Sequence, residues 1–202
     1  MIISCWNIRG LNQPLKQKEI VSLVKANDID VLGILESKVR SPNQDKIHQN
    51  MLPHWNFVNN SQPKSVDRIW IGWNPNKINL TISKCTNQVI HVHIDNMDQT
   101  ISLDASFIYG FNSIQDRRSL WNDLRSISAS LGDLPWISLG DFNVVLNPFE
   151  IFGGKLGRDQ GAEEFNALVN STCLVDLHYT GVFFSWNNRR TDAQQFIKKK
   201  TG

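Results

Sequence analysis

Several polar side chains that can take part in catalysis stand at or directly after the ends of apolar runs in this sequence. They are Asn7, Glu36, Tyr109, Asp141 and Asn143. Polar groups at the ends of buried strands converge on one rim of a sheet, where binding sites are usually built. A carboxylate that closes a buried strand is costly to bury alone, so it is either solvated at that rim or holds a cation.

The elements that must position these side chains are short strands with a few helices between them. Apolar runs predict strands at residues 2–6, 31–35, 69–73, 80–85, 89–94, 101–109, 136–139 and 183–186. Amphipathic spacing predicts helices at about residues 16–25, 113–131 and 162–170. Ser113 is expected to cap the second helix. Apolar and polar residues alternate over 89–94, as expected for a half-exposed strand.

The composition predicts a single domain over residues 1–202. Of the 202 residues, 41% are apolar, and there are 7 Trp and 10 Phe. That is enough to bury one sizeable core, and it argues against intrinsic disorder. The net charge of +2 is too small to imply a nucleic-acid partner by itself.

The sequence contains no signal for export or membrane insertion. The first residues lack the basic and long apolar segments of a signal peptide, and no apolar run approaches the roughly 20 residues needed to cross a bilayer. Cys5, Cys85 and Cys173 form no CxxC pair, so neither a disulfide framework nor a zinc site is indicated. We therefore expect an intracellular protein, nuclear or cytoplasmic, with no membrane contact and no obligate protein partner.

Six short segments follow one another along the chain. They are Trp6-Asn7-Ile8-Arg9-Gly10-Leu11, Leu35-Glu36-Ser37-Lys38, Ile69-Trp70-Ile71-Gly72-Trp73-Asn74, Tyr109-Gly110, Gly140-Asp141-Phe142-Asn143 and Phe184-Ser185-Trp186-Asn187. Each is weak alone, but their order and spacing resemble the endonuclease/exonuclease/phosphatase superfamily, which includes exonuclease III and the deoxyribonuclease-I-like enzymes. More narrowly, they resemble the endonuclease domain of plant LINE-type retroelement proteins, over residues of about 2–190.

The resemblance implies an α/β fold, a four-layer sandwich of two packed, mostly antiparallel β-sheets flanked by helices. It also implies hydrolysis of a DNA phosphodiester with Mg²⁺ or Mn²⁺, so that the DNA backbone is the partner. Glu36 matches the glutamate that binds the metal, and Asn7 matches the asparagine beside it. Arg9 stands where the exonuclease III branch has an aspartate ligand, so the metal site would rest chiefly on Glu36 and Asn7.

The other matched residues concern the phosphate and the attacking water. Tyr109 matches a tyrosine whose hydroxyl reaches the scissile phosphate, and Asn143 matches an amide that donates to a phosphate oxygen. Asp141 matches the aspartate that positions or deprotonates the water. Trp186 matches an aromatic near the substrate groove.

Two family features are absent from the sequence. The family ends with a Ser-Asp-His segment, whereas the last histidine here is His178. The retroelement branch has an Arg-x-Asp-Arg segment after the tryptophan motif, where residues 197–200 supply no carboxylate. We therefore expect a domain that lacks its last strands and has impaired catalysis, because losing a positioned acid/base group costs roughly 10²–10⁴-fold in rate.

Three functions stay open on this evidence: an active nuclease, a non-catalytic retroelement remnant with the same fold, and a phosphatase of the same superfamily. Single residues also have plainer interpretations. The segment around Asp141 is a good turn after a strand, and Trp186 suits a core. His91 and His93 share one strand face and would bind a metal only with a third ligand.

Overall fold

A computed structural model describes residues 1–61, 67–144, 146, 151–152, 160–178, 180, 186–187 and 197–198, with only the backbone at 151–152, 186–187 and 197–198. The helices are Pro14–Ala26 (α1), Gln44–Met51 (α2), Ile114–Ser130 (α3) and Gln160–Thr172 (α4), and a 3-10 turn precedes α2 at Ser41–Asn43. The strands are Ile3–Asn7 (β1), Val31–Leu35 (β2), Asn56–Asn59 (β3), Ile69–Trp73 (β4), Ile78–Cys85 (β5), Val89–Asn96 (β6), Ser102–Tyr109 (β7), Trp136–Asp141 (β8), Ile151–Phe152 (β9), Trp186–Asn187 (β10) and Ile197–Lys198 (β11).

These elements belong to two compact units. The first unit comprises Met1–Tyr109 and Leu131–Gly140, and the second comprises Gly110–Ser130 and Asp141–Gly202. None of the helices in the described ranges is long and apolar enough to cross a membrane.

The first sheet of the first unit has the strand order β1-β2-β4-β3. Strands β1 and β2 are parallel and are joined by α1, whereas β4 is antiparallel to both β2 and β3. The register pairs Asn7 with Leu35, so the two parallel strands end side by side. Glu36 is the next residue after that pair.

The second sheet of this unit has the order β5-β6-β7-β8. Strands β5, β6 and β7 form an antiparallel meander. Strand β8 runs in the same direction as β7, because the backbone bonds from Asp104 to Pro135 and from Gly110 to Asp141 keep one order along both strands. Both sheets are therefore mixed.

The apolar core of the first unit has two parts, one on each face of the first sheet. Alternation along β2 sends Leu32 and Ile34 toward α1 and α2, and sends Val31 and Leu35 toward the second sheet. Glycine is required at position 33 because the Phe107 ring occupies the space that a side chain would need. A Cβ at this position would lie 2.3 Å from a carbon of that ring. The two sheets thus pack face to face, with helices on the outer side of the first one.

The second unit is built around α3 and α4. Trp121 on α3 packs against the rings of Phe142 and Phe165, with ring centroids 6.5 and 5.4 Å apart. An exposed ion pair between Arg118 and Glu164 also joins the two helices. The backbones of β10, β11 and β9 form a small antiparallel sheet.

Most predicted elements are confirmed within one or two residues at each end, and the Ser113 cap is confirmed by its bond from the Asp116 amide. Four elements with no clear apolar periodicity, α2, β3, β9 and β11, were not predicted. Of the last predicted strand, residues 183–186, only Trp186 lies within the described residues. The half-exposed character expected for 89–94 is wrong, because five of these six residues are buried.

His91 explains part of that error. Its ring is 5% exposed and its Nδ1 shares a 2.9 Å hydrogen bond with the hydroxyl of Ser106, its cross-strand neighbour. Trp136 donates to the same hydroxyl at 2.9 Å. His91 is therefore buried within a side-chain network, whereas His93 on the same strand is 32% exposed.

A pH dependence of stability follows from this burial. Desolvation lowers the pKa of the His91 imidazole, although Asp104 opposes the shift, while Lys84 and His93 add to it. His91 therefore binds a proton more readily in the unfolded chain than in the folded protein. Its contribution to the free energy of unfolding is complete above about pH 6.5 and is lost as the pH falls below that value. We expect the free energy of unfolding to fall between about pH 6.5 and 5, measured by urea denaturation. The fall should be smaller in His91→Gln and unchanged in His54→Gln, which replaces an exposed histidine.

Candidate active site

Glu36 and Asn7 are in direct contact at the paired ends of β1 and β2. The Asn7 amide donates from Nδ2 to Glu36 Oε1 at 2.8 Å. Glu36 has a φ of 51°, a left-handed conformation that is uncommon outside glycine, and its side chain is only 17% exposed. A carboxylate held in this way by strained backbone and a neighbouring amide is typical of a functional position.

Lys38 supplies a positive charge to the same carboxylate. Its ammonium group lies 3.2 Å from Glu36 Oε2, while its own side chain is 56% exposed. Mg²⁺ usually binds through one or two carboxylates and retains several waters. Glu36 with the amide of Asn7 fits that requirement, and the ammonium of Lys38 marks the side of the carboxylate on which a cation is favoured. A metal at this oxygen would compete with Lys38.

A buried aspartate fixes the segments that carry these charges. Asp67 is fully buried, and its Oδ2 accepts from Trp70 Nε1 at 2.9 Å and from the Gln44 amide. Its carbonyl accepts from the Lys38 amide at 3.0 Å and from the Ser37 hydroxyl at 3.0 Å. Ser37 and Lys38, which follow β2, are thereby bonded to Asp67, which precedes Arg68.

Tyr109 closes β7 and is mostly buried, with 6% of its surface exposed. Its amide donates to the Gln88 carbonyl at 2.9 Å, which fixes the strand end. The guanidinium carbon of Arg68 lies 5.6 Å from the centre of the Tyr109 ring. This distance is within the range of a cation–π interaction.

Asp141 and Asn143 form a separate group in the second unit. Asp141 is 5% exposed, and its Oδ1 accepts from the Asn143 amide at 3.2 Å. The Asn143 side chain donates from Nδ2 to the Gly110 carbonyl at 2.6 Å, and its φ is 53°. Arg117 donates to the carbonyls of Phe111 and Asn143, which brackets the turn. The turn expected for this segment is therefore present, and its first residue is Asp141, whose carboxylate accepts one of the turn's hydrogen bonds.

The predicted site residues thus fall into two groups. Asn7 and Glu36 are bonded to one another, and Tyr109 ends a strand of the same unit, whereas Asp141 and Asn143 are bonded within the second unit. Trp186 begins β10, and its side chain lies outside the described residues.

Sequence reasoning gave no role to Lys38, Asp67 or Arg68. Lys38 was visible within the Leu35-Glu36-Ser37-Lys38 segment, and Asp67 and Arg68 stand directly before an apolar strand. Charged residues next to a strand are common on any surface, so their positions alone did not distinguish them. In the described part of the chain, no group of three or more His, Cys, Asp or Glu side chains is arranged to hold a metal. His91 and His93 therefore have no third ligand of these types among the described residues.

Comparison with known proteins finds the same fold in solved structures. An AP endonuclease from Archaeoglobus fulgidus matches 98% of this chain and 87% of its own, with a TM-score of 0.67 and 13% identity. The endonuclease domain of TRAS1, a telomere-specific non-LTR retrotransposon, matches 94% of this chain and 82% of its own, with a TM-score of 0.66 and 11% identity.

A mannosyl-6-phosphatase from Bacteroides thetaiotaomicron also matches, over 82% of this chain and 69% of its own, with a TM-score of 0.54 and 15% identity. No protein-family model and no curated protein sequence matches the chain. These likenesses confirm the predicted fold class, a DNase I-like α/β sandwich. At these identities they define the fold and not the reaction.

The glycine before Asp141 gives a test of how tightly this strand end is built. Gly140 has a φ of +142°, and an added Cβ would lie 2.1 Å from the Ile108 carbonyl oxygen. Gly10 also has a positive φ, +113°, but an added Cβ there meets nothing within 4 Å. We expect Gly10→Ala to cost about 1–2 kcal/mol from backbone strain alone, and Gly140→Ala to cost about 3 kcal/mol or more because a steric clash is added.

The two free energies of unfolding are compared by urea denaturation. Equal losses in the two variants would contradict the close approach of β7 and β8 at this point.

Proposed function

We propose that this chain is a metal-dependent phosphodiesterase domain of the endonuclease/exonuclease/phosphatase superfamily, of the DNA endonuclease type and of retroelement origin. The observation that carries the proposal is the contact between Asn7 and Glu36 at the shared end of two parallel strands. The fold shared with endonucleases, among them a retrotransposon endonuclease domain, supports it.

In this proposal, each group has one role. Glu36, with Asn7 beside it, would hold Mg²⁺ or Mn²⁺, which supplies charge stabilisation and an acidified water when bound. Tyr109 donates its hydroxyl to the scissile phosphate, and Asn143 donates an amide hydrogen to a phosphate oxygen. Asp141 orients the attacking water and accepts its proton. Trp186 lines the DNA groove, and the DNA phosphodiester backbone is the partner.

Residues 1–202 contain no Ser-Asp-His segment, so we propose that a polypeptide of these residues turns over slowly relative to an enzyme that has one. Loss of a positioned acid/base group lowers the rate by roughly 10²–10⁴-fold. Slow turnover separates this proposal from a non-catalytic remnant, which would have none. Because a phosphatase shares the fold, a small phosphomonoester such as p-nitrophenyl phosphate serves as the alternative substrate.

The proposal is tested by Mg²⁺-dependent nicking of supercoiled plasmid DNA. We expect Glu36→Gln to reduce the nicking rate by roughly 10²-fold or more, because the variant keeps the shape of the side chain but not its charge. Glu19→Gln is the matched control, since Glu19 lies on α1 and pairs with Lys16. Nicking that is equally fast in wild type, Glu36→Gln and Glu19→Gln would refute the proposal.

A second prediction concerns competition between Lys38 and the metal. Replacing Lys38 with methionine removes the ammonium from Glu36 Oε2, so Mn²⁺ should bind more tightly, by up to about fivefold, as expected for a largely exposed ion pair. The measurement is calorimetric titration with Mn²⁺. Lys16→Met disrupts the comparable Lys16–Glu19 pair on α1 and should leave Mn²⁺ affinity unchanged. Weaker Mn²⁺ binding in Lys38→Met would show that Lys38 assists the cation rather than competing with it.

A further inference from the structure

Arg68 is the cationic side chain placed against the ring of Tyr109. We propose that Arg68 and Tyr109 form a phosphodiester-binding pair, in which the guanidinium edge of Arg68 contacts the phosphate that the Tyr109 hydroxyl reaches. This inference rests on the proposed function, and it adds a binding residue that the sequence motifs did not contain.

The geometry of the pair favours an oxyanion ligand. The Arg68 guanidinium carbon lies 5.6 Å from the centre of the Tyr109 ring. A guanidinium that packs through its flat face keeps its N–H donors in the plane, and these donors match two phosphate oxygens at once. Arg68 is exposed while Tyr109 is 6% exposed, so the buried ring serves as a support for an exposed arginine.

The backbone of Arg68 is held from two directions, which fixes where its side chain begins. Asn60 is buried, and its side-chain oxygen Oδ1 accepts from the backbone N–H of Arg68 at 3.2 Å and from the backbone N–H of Ile69 at 3.0 Å. The side-chain Nδ2 of Asn60 donates to the Thr86 carbonyl at 3.0 Å, in the turn between β5 and β6. Asp67, the residue before Arg68, is fully buried and is anchored by the hydrogen bond that Trp70 Nε1 donates to its Oδ2. A long exposed arginine on a fixed base loses less conformational freedom when it binds a ligand.

The local charge also suits a polyanion. Arg68 follows a buried carboxylate, Asp67, whose oxygen is already hydrogen-bonded to Trp70 and Gln44. The Lys38 backbone is bonded to Asp67, so a second cationic residue attaches to the same segment. Two cationic residues, Lys38 and Arg68, are thus attached to Asp67, and the ammonium group of Lys38 lies 3.2 Å from Glu36 Oε2.

Binding is tested by the fluorescence anisotropy of a short fluorescein-labelled DNA duplex, with Ca²⁺ in place of Mg²⁺. We expect Arg68→Gln to weaken duplex binding about tenfold, as for the loss of one charge-assisted hydrogen bond. Lys25→Gln removes one exposed positive charge at the end of α1, near the start of β2, and should change the affinity by less than about twofold. Competition with inorganic phosphate separates recognition of a phosphate group from recognition of the duplex.

The partnership with Tyr109 is tested by a double-mutant cycle. Tyr109→Phe keeps the ring, so the Arg68→Gln effect should persist at about tenfold, whereas in Tyr109→Leu it should fall to about threefold or less. The chain has 2 tyrosines, so the Tyr109 ring signals are assigned by NMR with a Tyr179→Phe variant. They should shift when duplex is added to wild type, and in Arg68→Gln the same shift should require about tenfold more duplex.

The results also separate this inference from the proposed function. If nicking is independent of Glu36 but the Arg68–Tyr109 coupling is present, the proposed reaction is wrong and the phosphate-binding pair stands. The inference is overturned if wild type does not bind the duplex, if Arg68→Gln behaves like Lys25→Gln, or if its effect is equal in the Tyr109→Phe and Tyr109→Leu backgrounds.

Discussion

The parallel pairing of β1 and β2 is the constraint on which the candidate site depends. Two parallel strands end on the same side, and the register that aligns Asn7 with Leu35 brings the Asn7 amide to the Glu36 carboxylate. A carboxylate at this position is only partly solvated, so it needs donors or a cation nearby. Asn7 and Lys38 supply both on the two oxygens of one side chain. Shifting this register by one residue would separate the amide from the carboxylate.

Backbone strain is concentrated at the same strand ends. Arg9, Glu36 and Lys38 all have φ between 51° and 55°, and Gly10 has a φ of 113°. Each left-handed residue outside glycine costs about 1–2 kcal/mol, which the surrounding packing has to offset. The fully buried Asp67 does part of this, because it ties the residues after β2 to the start of β4 through backbone and side-chain bonds. Packing and hydrogen bonds in the core thus keep the backbone of Glu36 and Lys38 in a conformation that is unfavourable for an isolated residue.

The turn that follows β8 illustrates how one residue combines a structural and a chemical part. The Asp141 carboxylate accepts the Asn143 amide, as an ordinary turn aspartate does, and the Asn143 side chain secures the Gly110 carbonyl. The first bond uses Asp141 Oδ1 and the Asn143 backbone N–H, and the second uses the Asn143 side-chain N–H. The bond to Oδ1 orients the Asp141 carboxylate, which is compatible with the role in positioning water that we propose for it.

The sequence by itself determined the strands whose apolar runs are bounded by turn residues, and the polar residues at their ends. Strands β2 and β4 lie where the apolar runs of residues 31–35 and 69–73 predicted them, because nearly every residue of these central strands is buried and leaves a continuous signal. Only the tertiary structure decided the pairing of β1 with β2, the burial of His91, and the placement of Arg68 over Tyr109. These depend on contacts between residues far apart in the chain, and a local pattern of apolar and polar residues carries no information about which distant segment will lie beside it.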